Sequence, residues 1–97
     1  MPPSRPKLSG LQREVLALYR RALRMVRTKP EAAQPKFRLF VRYAFHTQTH
    51  SVTPRNIGAI EHMLRRGRAQ LEMYERKEVR DVWVSKEMRE WEQQRSG

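Results

Sequence analysis

Three sets of side chains in this sequence are of types that could do chemistry: three histidines, sixteen arginines and a thin scatter of carboxylates. His46 and His50 lie four residues apart, a spacing that can present two imidazoles to one zinc ion on a helix. The intervening Thr47-Gln48-Thr49 reads as loop, however, and no carboxylate lies close in sequence to complete a ligand set. His62 stands alone, so the histidines are expected to be solvated or capping groups and no metal is expected. Cysteine is absent, which removes disulfides, thiolate metal sites and cysteine nucleophiles. There is no glycine-rich phosphate loop and no activated serine arrangement, and only Glu14, Glu31 and Glu61 precede the acidic tail. Acid–base chemistry lacks its groups. The sequence points away from an enzyme and calls for no cofactor.

The arginines are more informative. Twenty-one Lys and Arg against ten Asp and Glu give a net charge of +11. Residues 1–71 carry fifteen basic and three acidic side chains, whereas residues 72–97 carry six and seven. So lopsided a field implies an anionic partner: nucleic acid, anionic lipid or an acidic protein face. Arginine in particular suits carboxylate and phosphate, which it grips through paired hydrogen bonds. Basic helices interleaved with aromatics can bind nucleic acid, but here the aromatics fall on apolar faces and no nucleic-acid motif is present. The densest basic run is Arg65-Arg66-Gly67-Arg68. Glycine inside a helix costs ~1 kcal/mol against alanine, which asks for a reason. Gly67 falls on an apolar stripe, where a missing side chain admits a close neighbour, and three guanidiniums rim the notch. Docking onto an acidic surface and plain internal packing both fit it.

The elements that must position these groups are helical. Residues 1–8, rich in proline, read as a disordered lead. Ser9 is an N-cap candidate, and Leu11, Val15, Leu18, Ala22 and Met25 recur at spacings of four and three, marking one apolar face. Arg13, Arg20, Arg24 and Arg27 share another side. Thr28-Lys29-Pro30 ends this helix. A second helix is predicted from about Pro35 to about His46, with Phe37, Phe40, Val41, Ala44 and Phe45 inward. Residues 47–52 read as loop. Thr53-Pro54 signals a third helix, whose stripe Ile57, Ile60, Leu64, Gly67, Leu71 and Tyr74 carries it to about Lys77. Val79 to Val84 alternates as an extended segment would, and Ser85 to Gln94 suits a short amphipathic helix with Met88 and Trp91. The expected architecture is all-α: a three-helix domain over 9–77 followed by a C-terminal arm over 78–97. No apolar run approaches the ~20 residues of a membrane span, and no hydrophobic signal core is evident, so a soluble or peripheral protein is expected.

Leu18-Tyr19-Arg20, on a helix opening Leu11-Gln12-Arg13, resembles the signature of the LYR-motif family. Arg42-x-x-Phe45 resembles that family's downstream phenylalanine. Ile60-Glu61-x-x-x-Arg65-Arg66-Gly67-Arg68-x-Gln70-Leu71 is similar to the branch that assembles succinate dehydrogenase. Together these cover roughly residues 9–74. The resemblance implies a three-helix protein of the mitochondrial matrix that chaperones the iron–sulfur subunit of succinate dehydrogenase. It implies that Leu18, Tyr19 and Arg20 engage the co-chaperone that delivers clusters, with Phe45 assisting, and that Arg65, Arg66 and Arg68, around Gly67, bind the iron–sulfur subunit. Relatives also grip an acyl carrier protein with its acyl chain among the helices, for which the arginines of the first helix are the residues to watch. Without cysteine, the chain cannot itself hold a cluster through thiolates. A structural LYR subunit of another respiratory complex and a basic mitoribosomal RNA-binding protein are the alternatives.

Overall fold

The computed structural model describes residues 10–96. Four helices, α1 (Gly10–Arg27), α2 (Gln34–His50), α3 (Ile57–Tyr74) and α4 (Lys86–Ser96), follow one another with a single 3-10 turn at Glu31–Ala33 before α2. There is no strand among the described residues. The expected N-cap, Ser9, and the N-terminal lead lie outside them.

The first helix is the centre of the fold, and its sequence makes it so. Leu18, Ala22, Met25 and Val26 are buried, with Leu11, Val15, Tyr19 and Leu23 packed around them. The helix stops as its proline dictates: Thr28 Oγ1 donates to the Met25 carbonyl, and the Thr28 and Lys29 amides close the last turn on Met25 and Val26. From α2 come Phe37 and Val41, and from α3 Ile60, Leu64 and Leu71. Phe37 is wholly buried.

Three boundaries depart from expectation, each for a local reason. First, α2 continues through residues 47–50 instead of breaking there. The threonines fold their hydroxyls back onto carbonyls one turn earlier, Thr47 onto Tyr43 and Thr49 onto Phe45, so polar side chains sit on the helix instead of unwinding it. Second, α3 starts at Ile57 and not at Thr53-Pro54. The Thr53 carbonyl is taken by a turn from the Asn56 amide, and the Asn56 side chain caps the helix by accepting from the Ala59 amide. Ile57, the expected first residue of the stripe, is left 59% exposed. Third, α3 ends at Tyr74 and not near Lys77. Here the ammonium of Lys29, a residue only 6% exposed, donates to the carbonyls of Arg76 and Val79 at 3.0 and 2.6 Å. It also stands 5.3 Å from the Phe37 ring centroid. Burial lowers its pKa, and these carbonyls and the ring face replace the lost water.

Val79 to Val84 forms neither helix nor strand, and Ser85 caps α4 by accepting from the Met88 amide. The arm then turns back onto α2. A second apolar face of α2 receives it: Leu39 and Val84 are both buried yet lie outside the central core. Trp91 fixes the contact, edge-on to Tyr43 at 5.7 Å and tilted over His46 at 5.1 Å. The guanidiniums of Arg42 and Arg95 lie 5.9 and 5.1 Å from its centroid. Lys36 and Asp81 add an exposed ion pair.

The reason for Gly67 is internal. A Cβ placed there would stand 2.8 Å from Leu18 Cδ2, too close for two carbons. The Leu18 methyl borders a crevice of about 50 Å³ that Gly67 also lines, so it has somewhere to move. Gly67→Ala is therefore expected to be near neutral, a gain of ~1 kcal/mol in helix propensity offsetting the displaced methyl. Gly67→Val should cost about 1–3 kcal/mol by overpacking, read from urea unfolding. A second test uses pH. Arg21 grips Glu75 with two hydrogen bonds of 2.9 and 2.7 Å, and this pairing holds the Glu75 carboxyl below its ordinary range. A depressed carboxyl stabilises the fold above its unfolded pKa of ~4.3, and that contribution is lost as pH falls through the folded value. Wild type should therefore exceed Glu75→Gln in stability near pH 6, and the two unfolding curves should converge below about pH 4.

Candidate partner-binding site

The tripeptide Leu18-Tyr19-Arg20 spans three environments, because successive residues step ~100° around a helix. Leu18 is buried against Gly67. Tyr19 is half-buried and meets Phe45 edge-to-face, ring centroids 4.8 Å apart, which ties α1 to α2. Arg20 is exposed. Of the predicted residues, then, Tyr19 and Phe45 are brought together, and so are Leu18 and Gly67. Arg20 joins neither pair. With Arg13, Arg24 and Arg27, it forms an exposed stripe on the outer side of α1.

On α3, Arg65 and Arg66 are exposed and Arg68 is half-buried. Arg68 is not free: its Nη2 donates to Glu14 Oε1 of α1 at 2.6 Å. Sequence reasoning missed Glu14 in this role, as it missed Arg21 and Glu75. The two ion pairs share one sequence separation, 54 residues. Their members are seven residues apart on each helix, so a heptad offset between parallel α1 and α3 was the signal available. The notch that Gly67 makes on the apolar stripe is occupied by Leu18, and the basic rim therefore faces outward around a filled seam.

The histidines also rearrange. Because α2 runs on to His50, His46 and His50 do share a helical face, with ring centroids 4.2 Å apart. The His50 ring nitrogen Nδ1 is 2.7 Å from the His46 carbonyl oxygen, and His62 is exposed on α3. No group of three or more His, Asp or Glu side chains converges among the described residues. The His46 pKa is pushed down, first by burial against the arm and then by the charges of His50 and Arg95, which favours a neutral ring in the Trp91 contact.

Two further surfaces went unanticipated. An open apolar groove of about 460 Å³ lies where the start of α1 meets the α2–α3 junction, lined by Leu11, Val15, Leu16, Val52, Ile60 and Met63 among others. On the arm, Trp83 is 79% exposed. No described helix is long and apolar enough to cross a membrane.

Comparison with known proteins places this geometry. The chain is 38% identical over 78 residues to the mitochondrial succinate dehydrogenase assembly factor 1 of Schizosaccharomyces pombe, an alignment covering 80% of this chain and 98% of that protein. It is 33% identical over 76 residues to the protein of the same name in two strains of Saccharomyces cerevisiae, covering 78% of this chain and 95% of theirs. No solved structure matches it. The family model described as Complex 1 protein (LYR family) matches residues 13–73, from Arg13 on α1 almost to the end of α3, and the chain belongs to the LYR family.

Proposed function

We propose that this protein is a mitochondrial assembly factor for succinate dehydrogenase, acting in the matrix as a chaperone that binds the enzyme's iron–sulfur subunit while its clusters are inserted or protected. The observation that carries it is the 38% identity to a protein of that name over nearly the whole of the relative's length. The disposition of charge supports the same role. Arg65 and Arg66 project from α3 with Arg68 beside them, a rigid basic surface suited to an acidic protein face. The exposed Arg20, with Tyr19 and Leu18 holding its helix in register, is the contact for the cluster-delivering co-chaperone, and Phe45 acts through Tyr19. Gly67 contributes by letting α1 close on α3. Such a protein needs binding surface and no catalytic group.

A second reading, an adaptor for an acyl carrier protein, is favoured by the arginine stripe of α1, which suits an acidic face or a phosphate, and by the apolar groove beside it.

Capture from mitochondria under mild salt, with the iron–sulfur subunit, the co-chaperone and the acyl carrier protein all sought, separates the two. Replacing Arg65, Arg66 and Arg68 together by Glu should abolish capture of the iron–sulfur subunit while circular dichroism stays helical; retained capture would remove this face as the docking site. Arg20→Ala should shift stability by less than about 0.5 kcal/mol yet weaken binding of the co-chaperone or the carrier. Leu18→Ala, in contrast, should cost about 2–5 kcal/mol as a buried truncation. Equal loss of stability in both variants would make Arg20 a structural residue.

A further inference from the structure

The three ion pairs among the described residues are not alike. Arg21 and Glu75 make a two-pronged contact, their side chains about one-third exposed (36% and 33%). Arg68 and Glu14 touch through one oxygen and one nitrogen, and their side chains are 42% and 50% exposed. A guanidinium has five N–H donors, so Arg68 keeps most of its capacity unused. Glu14 and Arg68 also stand at the mouth of a cleft of about 240 Å³ between α1 and α3, lined in addition by Ala17, Leu18, Arg21 and Arg24. Arg24 is exposed and belongs to none of the three pairs. Three guanidiniums thus line the cleft, of which Arg21 is taken up by Glu75, Arg68 is held by Glu14 alone and Arg24 joins no ion pair among the described residues, over a floor partly made by Ala17 and Leu18.

We propose that this cleft is a carboxylate-binding site occupied in the free protein by Glu14, and that an acidic segment of the iron–sulfur subunit displaces Glu14 from Arg68 on binding. The identity of that partner rests on the function proposed above; the carboxylate chemistry rests on the cleft. An incoming carboxylate replaces a contact of the same kind, so Arg68 is paired before and after. The displaced Glu14 returns to water at little cost, because half-exposed ion pairs contribute only ~0–1 kcal/mol. The newcomer adds what Glu14 does not supply, a carboxylate in direct contact with Arg24, whose charge otherwise acts on a Glu75 already gripped by Arg21. The partly apolar floor strengthens both contacts by excluding water from one side. Arg65, three residues before Arg68 and hence on the same side of α3, continues the basic surface beyond the cleft. Glu14 then acts as a built-in competitor: it keeps weakly acidic surfaces out and yields to one carrying several carboxylates.

The test is a titration of the full chain with an eight-residue glutamate peptide, and separately with the iron–sulfur subunit, at fixed low salt. Glu14→Gln is compared with Glu90→Gln, which makes the same change in net charge from an exposed position on α4. Circular dichroism checks that all variants remain helical. Glu14→Gln should bind both probes about two- to fivefold more tightly than Glu90→Gln, the range that removing an exposed ion-pair competitor implies. Adding Arg24→Gln or Arg68→Gln to Glu14→Gln should reverse the gain. The proposal is overturned if Glu14→Gln binds the peptide no better than Glu90→Gln, or if the gain survives loss of both arginines. It is overturned as to partner if an acyl carrier protein gains from Glu14→Gln and the subunit does not. If no variant, nor wild type, binds the subunit, the function proposed above fails, and the peptide series still decides the cleft.

Discussion

Leu18 reaches into the space that a side chain on Gly67 would fill, its Cδ2 2.8 Å from where a Cβ would stand, and this close approach sets how α1 lies on α3. On α1 the two ion pairs flank Leu18 by about one helical turn each, and on the other side they follow Gly67 by one and eight residues. Glu14 is four residues before Leu18 and Arg21 three after, and they meet Arg68 and Glu75 on the parallel neighbour. A residue larger than alanine at 67 would push the helices apart and lengthen both pairs together. Glycine's ~1 kcal/mol penalty in a helix is thus offset by core packing and by the alignment of charges that depend on the same separation.

Lys29 performs a comparable service at the other end of the bundle. Buried charge is tolerated only where polar groups surround it, and here the carbonyls of Arg76 and Val79 and the Phe37 ring do so. The ammonium therefore joins the end of α1 to the chain leaving α3 and aims the arm toward α2. Leu39, Tyr43 and His46 give α2 a second face for the arm to cover, opposite the face that Phe37 and Val41 turn to the core. A helix that is apolar on both sides has to be buried on both sides. The family model ends at residue 73, so the arm lies beyond its matched residues, held on by buried Val84, ring stacking, cation–π contacts and one exposed ion pair.

The large positive charge acquires a pattern only in three dimensions. Arg21 is committed to Glu75, Arg68 is lightly held by Glu14, and Arg42 and Arg95 lie over Trp91. Arg20, Arg24 and Arg27 on the outer side of α1 and the projecting Arg65 and Arg66 are exposed. Charge near the helix seams serves the fold, and the charge on the outer faces stays exposed.

A helix-periodic sequence states its own period, so the three main helices, their apolar stripes, the proline stop after α1 and the short helix near Trp91 were legible without coordinates. The same holds for the family, because Leu18-Tyr19-Arg20, Phe45 and the Arg65–Arg68 run fall on those helices in order. Helix ends were less legible. Thr47 and Thr49 could equally form loop or fold their hydroxyls back, and Asn56 capped α3 in place of Thr53 because the Thr53 carbonyl was already used in a turn. What occupies the Gly67 notch, which arginines are spent and which are free, and where the arm docks were decided by tertiary structure alone. Each depends on groups about 50 residues apart in the chain, and local periodicity carries no information about which of sixteen similar guanidiniums meets which carboxylate. Only the separation and parallel register of α1 and α3 choose between them.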